Sequence, residues 1–204
     1  MKIETVVLSH LATNCYMISS DNAAIVIDPA VFSERLENFL KENSDKQRLI
    51  LLTHAHFDHI GAAEVLRNRT NTKIAAGINE APYFADTFVN LSDRFHAHIN
   101  PFEVDIKLKD GEKFDVGDLN IEAIETPGHT VGGMCYYIEN CLFSGDTLFY
   151  ESIGRSDFHG GNPVTLFRSA KGLLSRFSDE TPVYSGHGPK TTIGHEKEFN
   201  PYLR

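Results

Sequence analysis

An α+β architecture is predicted for these 204 residues: two β-sheets packed face to face, with helices on the outside. Three observations predict it. Short apolar runs bounded by turn residues form a meander at the start and hairpins in the middle. Other apolar runs alternate with segments of helical period, and this mixture differs from the uniform alternation of a doubly wound parallel sheet. Finally, four apolar runs each stop at a turn that presents a metal-capable side chain, which points to one shared edge of a core.

The elements follow in order. Val6–Leu8, Cys15–Ile18 and Ala24–Ile27 form the opening meander, with Ser20-Asp21-Asn22 as its second turn. Asp28-Pro29 stops the third strand. Ser33 is the expected N-cap of a helix through Leu36, Phe39 and Leu40. Arg48–Leu52 has the composition of a buried strand. A helix through Ala62, Ala63, Val65 and Leu66 follows, then a strand at Lys73–Ala76. From Gly77 to Pro101, Pro82 and mixed polarity predict broken helix and loop. Val104–Leu108, Lys113–Val116 and Leu119–Thr126 are strands, turned at Asp110-Gly111 and Gly117-Asp118. Gly133–Ile138 and Cys141–Ser144 form a hairpin around Glu139-Asn140. A helix from Val164 to Phe177 follows Asn162-Pro163, with Pro163 in its first turn. Pro182–Ser185 is the last strand, and a short helix over Ile193–Glu198 closes the chain. No repeat or low-complexity linker divides it, so one domain over 1–204 is expected.

Lys plus Arg number 19 and Asp plus Glu 28, a net charge of −9. That balance, without basic clusters, argues against a nucleic-acid partner. No apolar run reaches membrane-span length and the N-terminus lacks a secretory pattern, so no membrane partner and a cytoplasmic location are expected. Cys15, Cys135 and Cys141 are an odd number with no Cys-x-x-Cys pair; each sits in an apolar stretch, where a buried thiol is expected.

Ten histidines are present, and three lie in Thr53–His59, T-H-A-H-F-D-H. A random chain of this composition would contain H-x-H-x-D-H roughly 0.002 times, so the cluster has a cause. Imidazole and carboxylate are the usual ligands of zinc and similar ions. Alternate side chains of an extended segment point the same way, so His54 and His56 can grip one ion together. Asp58 and His59, where the chain bends into a helix, can address a second. Further ligands are needed, and three strand ends offer them: Pro127-Gly128-His129, Gly145-Asp146 and Gly186-His187. His96-Ala97-His98 has a ligand-like spacing but lacks this context and reads as loop. His10 and His159 are placed at the edge of a pocket.

These motifs, with Ser144-Gly145-Asp146-Thr147-Leu148-Phe149 and Gly186-His187-Gly188-Pro189, resemble the metallo-β-lactamase superfamily, and within it glyoxalase II and its short relatives. The resemblance runs from Asn14-Cys15-Tyr16 and Asp28-Pro29 to Thr191-Thr192-Ile193-Gly194, Glu196 and Asn200-Pro201, nearly the whole chain. It implies a four-layer αβ/βα sandwich of two mixed sheets with the site on one edge. It implies that His54, His56 and His129 hold one metal, that Asp58, His59 and His187 hold a second, and that Asp146 bridges them. Two divalent ions are implied, zinc foremost, with iron or manganese also suited to these ligands. Asp28 either orients a ligand from behind or only ends its strand.

The reaction implied is hydrolysis of a small-molecule thioester such as an S-acylglutathione. A metal-bridging hydroxide would attack the carbonyl, with Asp58 orienting it. Arg155, in Ile153-Gly154-Arg155-Ser156-Asp157-Phe158, matches a basic position that helps bind the thiol portion; the alternative is an ion pair with Asp157. Phe149 and Tyr150 are read as pocket lining or as core. Only 17 residues follow His187, so the helical glutathione-binding domain of glyoxalase II is expected to be missing. A second reading is a mononuclear iron persulfide dioxygenase of the same fold, using His54, His129 and Asp146.

Overall fold

A computed structural model describes residues 1–204. The first sheet opens with β1 (Lys2–Leu8), β2 (Thr13–Ser19) and β3 (Ala23–Ile27), each antiparallel to the one before. β4 (Gln47–Leu51), β5 (Lys73–Gly77) and β6 (Ile106–Leu108) then add in parallel to β3, giving the order β1-β2-β3-β4-β5-β6. Parallel neighbours need crossovers. The first is α1 (Glu34–Glu42), whose N-cap Ser33 accepts from Arg35 N. The second is the pair α2 (Phe57–Ile60) and α3 (Ala63–Thr70). α3, with Ala62 as its N-cap, is the helix expected through Ala62, Ala63, Val65 and Leu66, and α2 is an additional turn before it; between them Gly61 packs so closely that a Cβ would overlap Ala30 O.

The second sheet begins as an antiparallel run: β7 (Lys113–Val116), β8 (Leu119–Glu125), β9 (Met134–Ile138) and β10 (Cys141–Gly145). The β9–β10 turn places Glu139 and Asn140 at φ 45° and 67°, the left-handed pair that matches strand twist in a two-residue hairpin. β11 (Leu148–Phe149) and β12 (Ser152–Ile153) make a small separate ribbon. α4 (Pro163–Arg176), capped by the Asn162 side chain, crosses over to β13 (Pro182–Ser185), which pairs in parallel with β10. β14 (Thr191–Thr192) and α5 (Ile193–Phe199) finish the chain. Beyond Gly77, the last residue of β5, the chain to Pro101 is loop with one short 3₁₀ turn over Ala81–Ala85, in keeping with the expected broken helix and loop.

Packing follows from strand alternation. Ile18, Ile25, Ile27, Leu49 and Leu51 point from the first sheet onto Ile121, Ala123, Met134, Tyr136 and Phe143 of the second. The opposite face of the first sheet, including Val26, Ile50 and Ile74, packs on Leu36, Leu40, Ile60 and Leu66 of the helices. The outer face of the second, including Cys135, Leu142 and Val183, packs on Ala170, Leu173, Leu174 and Ile193. The result is helix, sheet, sheet, helix, the predicted sandwich. Cys15 and Cys135 are buried; Cys141, at the mouth of the hairpin, is only partly covered.

Direction decides where the site lies. β3, β4 and β5 run together, and so do β8, β10 and β13. Their C-terminal ends meet at one edge of the sandwich, and every predicted ligand follows one of them.

Candidate metal centre

Thr53–His56 leaves β4 extended, and His56 becomes the N-cap of α2 at φ −60°, ψ 140°. His54 and His56 therefore face the same side. His129 enters from the end of β8: its Nε2 lies 3.2 Å from His54 Nε2 and 2.9 Å from His56 Nδ1. The turn before it relies on Gly128, at φ 126°, where a Cβ would overlap the backbone of Leu166 in α4. A second group forms beside the first. His59 Nε2 is 3.3 Å from His187 Nε2 and 3.7 Å from Asp58 Oδ2, and His187 Nε2 is 3.4 Å from Asp58 Oδ2. Asp146 stands between the groups. Its Oδ2 is 3.5 Å from His129 Nε2 and 3.6 Å from His187 Nε2, and its Oδ1 is 3.5 Å from His59 Nε2. Gly186 makes room for it, since a Cβ there would overlap Asp146 Oδ1.

The donor set fits divalent cations on two counts. Ligand bonds of 2.0–2.1 Å in a tetrahedron set ligand atoms roughly 3.3–3.4 Å apart, and the separations above cluster around that value. The tautomers of four of the five histidines also agree, His56 being the exception with its buried Nε2 unpartnered. His59 Nδ1 donates to Asp28 Oδ2 at 2.9 Å, His129 Nδ1 to Arg155 O at 2.7 Å, and His187 Nδ1 to Leu11 O at 3.1 Å. His54 Nδ1 donates to Thr53 Oγ1 at 3.0 Å, and that hydroxyl donates in turn to Asp28 Oδ2 at 2.7 Å. Each outer hydrogen bond leaves the Nε2 lone pair facing inward. Lone pairs converging at such distances repel unless a cation lies among them. Asp146 Oδ1 is buried with no hydrogen-bond partner, a costly state for a carboxylate that a bound cation removes.

Charge is distributed unevenly. Burial pushes His54, His56 and His129 below the usual histidine range, which keeps them neutral and ligand-competent. Burial works against a charged His59 as well, but the carboxylates of Asp146, Asp58 and Asp28 outweigh it and draw its pKa up to about 10, so a cation must displace the Nε2 proton to use that lone pair. His187 is raised against burial by its contact with Asp58. Asp58 is pulled below the usual carboxylate range by His59 and His187 despite burial.

The seven predicted ligands thus come together. Asp28, read two ways from sequence, orients His59 from behind and also ends β3. Two supporting residues were missed. Thr13 Oγ1 donates to Asp58 Oδ2 at 3.3 Å. Glu80, only 1% exposed, accepts from Ala55 N at 2.9 Å and Gly132 N at 2.8 Å, clipping the His54–His56 loop to the loop after His129. Its place in a stretch of mixed polarity gives no local signal.

A cavity of about 410 Å³ opens over the cluster. Its far wall includes Leu11, Leu91, Phe95, Phe149 and Phe158, with Arg155 at the rim. Arg155 is paired with Asp157 through two 2.7 Å hydrogen bonds and lies 4.0 Å over the Phe158 ring. Tyr150 does not line the cavity; it stacks on His195, which contacts Glu151. His159 sits against Phe88 rather than at the pocket edge, while His10 and His98 border an adjoining depression.

The metallo-beta-lactamase superfamily profile matches residues 6–187. Hydroxyacylglutathione hydrolase GloC of Haemophilus influenzae is 35% identical, over 100% of this chain and 98% of that protein. Among solved structures, BLEG-1, a B3 metallo-beta-lactamase, is 36% identical at TM-score 0.90, covering 99% of each chain. TTHA1623 in a di-iron-bound form is 33% identical at TM-score 0.85, covering 98% of this chain and 100% of that one. With the family profile spanning most of its length and relatives of more than 30% identity matching throughout, this chain belongs to the metallo-β-lactamase superfamily.

Proposed function

We propose that the chain is a binuclear metal-dependent thioester hydrolase of glyoxalase II type. One observation supports this reading: two His/Asp groups that could each hold a metal ion stand side by side, with the Asp146 carboxylate between them. His54, His56 and His129 would hold one ion, and Asp58, His59 and His187 the other, with Asp146 shared. Two divalent cations bound there, zinc foremost, would lower the pKa of a water and polarise the scissile carbonyl.

The chain's own residues supply the rest. Asp58, steadied by Thr13, accepts the proton of the attacking water and orients it. The aromatic wall excludes bulk solvent from the carbonyl. When the C–S bond breaks, the leaving group is a thiolate whose conjugate acid has a pKa of about 8.5, so it departs with little proton assistance. A separate general acid is therefore unnecessary, and apart from the candidate ligands and Arg155 the cavity lining is apolar. Arg155, fixed by Asp157 and Phe158, would contact the thiol portion at the rim. The 35% identity to a hydroxyacylglutathione hydrolase supports the same substrate class.

The test is metal content per chain on anaerobically purified protein, with two assays in parallel: S-lactoylglutathione hydrolysis and glutathione-persulfide-dependent oxygen uptake. Two metals with thiol release are expected. One iron with oxygen uptake and no thiol release would overturn the reading in favour of a persulfide dioxygenase.

A further inference from the structure

The cavity over the metal ligands does not end at Phe57. A second depression of about 310 Å³ adjoins it, and Phe57 and Asp58 line both. The same two loops border both spaces. Leu11, Leu91 and Phe95 line the first; Ser9, His10, Ala97, His98 and Ile99 line the second. The two spaces adjoin at Phe57 and Asp58, and both draw lining residues from the 9–11 and 91–99 loops.

The second depression has a different chemistry. Val31 and Phe32, both 40% exposed, line it with Ala97 and Ile99. No lysine, arginine or glutamate does, and its one carboxylate, Asp58, belongs to the ligand cluster. Arg69 lies over the Phe32 ring but is engaged with Glu37. Exposed apolar side chains in a concave, uncharged space next to a reaction centre mark a place for an apolar part of a ligand. Arg155 lines the first cavity and not this depression, so the cationic group and the apolar space belong to different parts of the surface.

We propose that the depression is a subsite for the acyl arm of the substrate, and that the arm is an uncharged apolar chain or ring longer than three carbons. This rests on the thioester reading above. The carbonyl would sit over the ligand cluster, the thiol portion would extend toward Arg155 and Phe158, and the acyl arm would cross Phe57 to lie against Val31 and Phe32. His10 and His98, exposed at the rim, leave room for a polar group only at its tip.

The test uses metal-loaded protein and thioesters of one thiol, N-acetylcysteamine, with acyl groups from acetyl to octanoyl. Once the arm reaches the depression, kcat/KM should rise about two- to four-fold per added methylene. Ala97→Phe, which fills the space, and Val31→Glu, which charges it, should each lower the octanoyl-to-acetyl ratio at least tenfold. A flat series, or a ratio unchanged in both variants, overturns the proposal. Occupancy has its own readout, because the chain contains no tryptophan. In Phe32→Trp, the S-octyl thioether of the same thiol should shift the emission to the blue, and the S-methyl thioether should not. A shift without turnover of any thioester would leave the subsite standing and refute the hydrolase reading. Turnover without chain-length preference or shift would do the reverse.

Discussion

Glu80 offers a measurable consequence of the way the site is held. It is fully enclosed, and each carboxylate oxygen accepts a backbone N–H from a different ligand-bearing loop. Burial drives its pKa up from 4.5 to about 7, with the Ala55 and Gly132 hydrogen bonds limiting the rise. A carboxyl group that binds its proton more tightly in the folded chain than in the unfolded one contributes stability that is complete below the unfolded pKa. That contribution is lost as pH rises through the folded value. Between pH 5 and pH 8 the loss amounts to roughly 2–3 kcal/mol. Glu80→Gln removes this titration but keeps the shape. Its amide oxygen can accept one N–H, while its NH₂ faces the other, an offset of about 1–3 kcal/mol that does not vary with pH. Urea unfolding of the metal-free wild type and variant at pH 5, 6, 7 and 8 separates the two effects. The stability of the wild type minus that of the variant should fall by roughly 2–3 kcal/mol across the series. A difference constant with pH would refute the reasoning, because it would mean that Glu80 ionises as it does in the unfolded chain.

Three further outcomes follow from the geometry. Asp146→Ala should abolish turnover and reduce the metal count below two per chain by elemental analysis; a full complement would contradict the shared ligand. Gly186→Ala places a methyl against Asp146 Oδ1 and 2.8 Å from His59 Cε1. It should lower stability by about 1–3 kcal/mol and weaken metal retention against a chelator, with the circular dichroism of the sheets unchanged. Asp28→Asn turns an amide toward His59 Nδ1 or Thr53, and metal affinity should fall about 10–100-fold by competition titration; unchanged affinity would reduce Asp28 to a strand terminator.

What could be read from the sequence was whatever is encoded locally. The candidate ligands stand out because each group follows an apolar run, three of the four strand ends through a glycine, and because side chains two apart in an extended segment share a face. The hairpin at Glu139-Asn140 and the caps Ser33 and Asn162 are likewise decided within a few residues. β11, β12 and β14 were missed because two-residue strands exist only through their pairing. Arg155 and Asp157 lie two apart, so their ion pair was foreseeable, but only the structure shows both hydrogen bonds made. Glu80 was invisible for a different reason. Its two partners lie 25 and 52 residues away, and nothing at position 80 announces them. The convergence itself is of this kind. That β8 and β10 point the same way follows from the intervening β9; that β13 joins them follows from the α4 crossover; and that β4 brings its end to the same edge follows from how two sheets stack. The sequence marks each strand end as able to bind metal, and the topology brings those ends within ligand distance of one another.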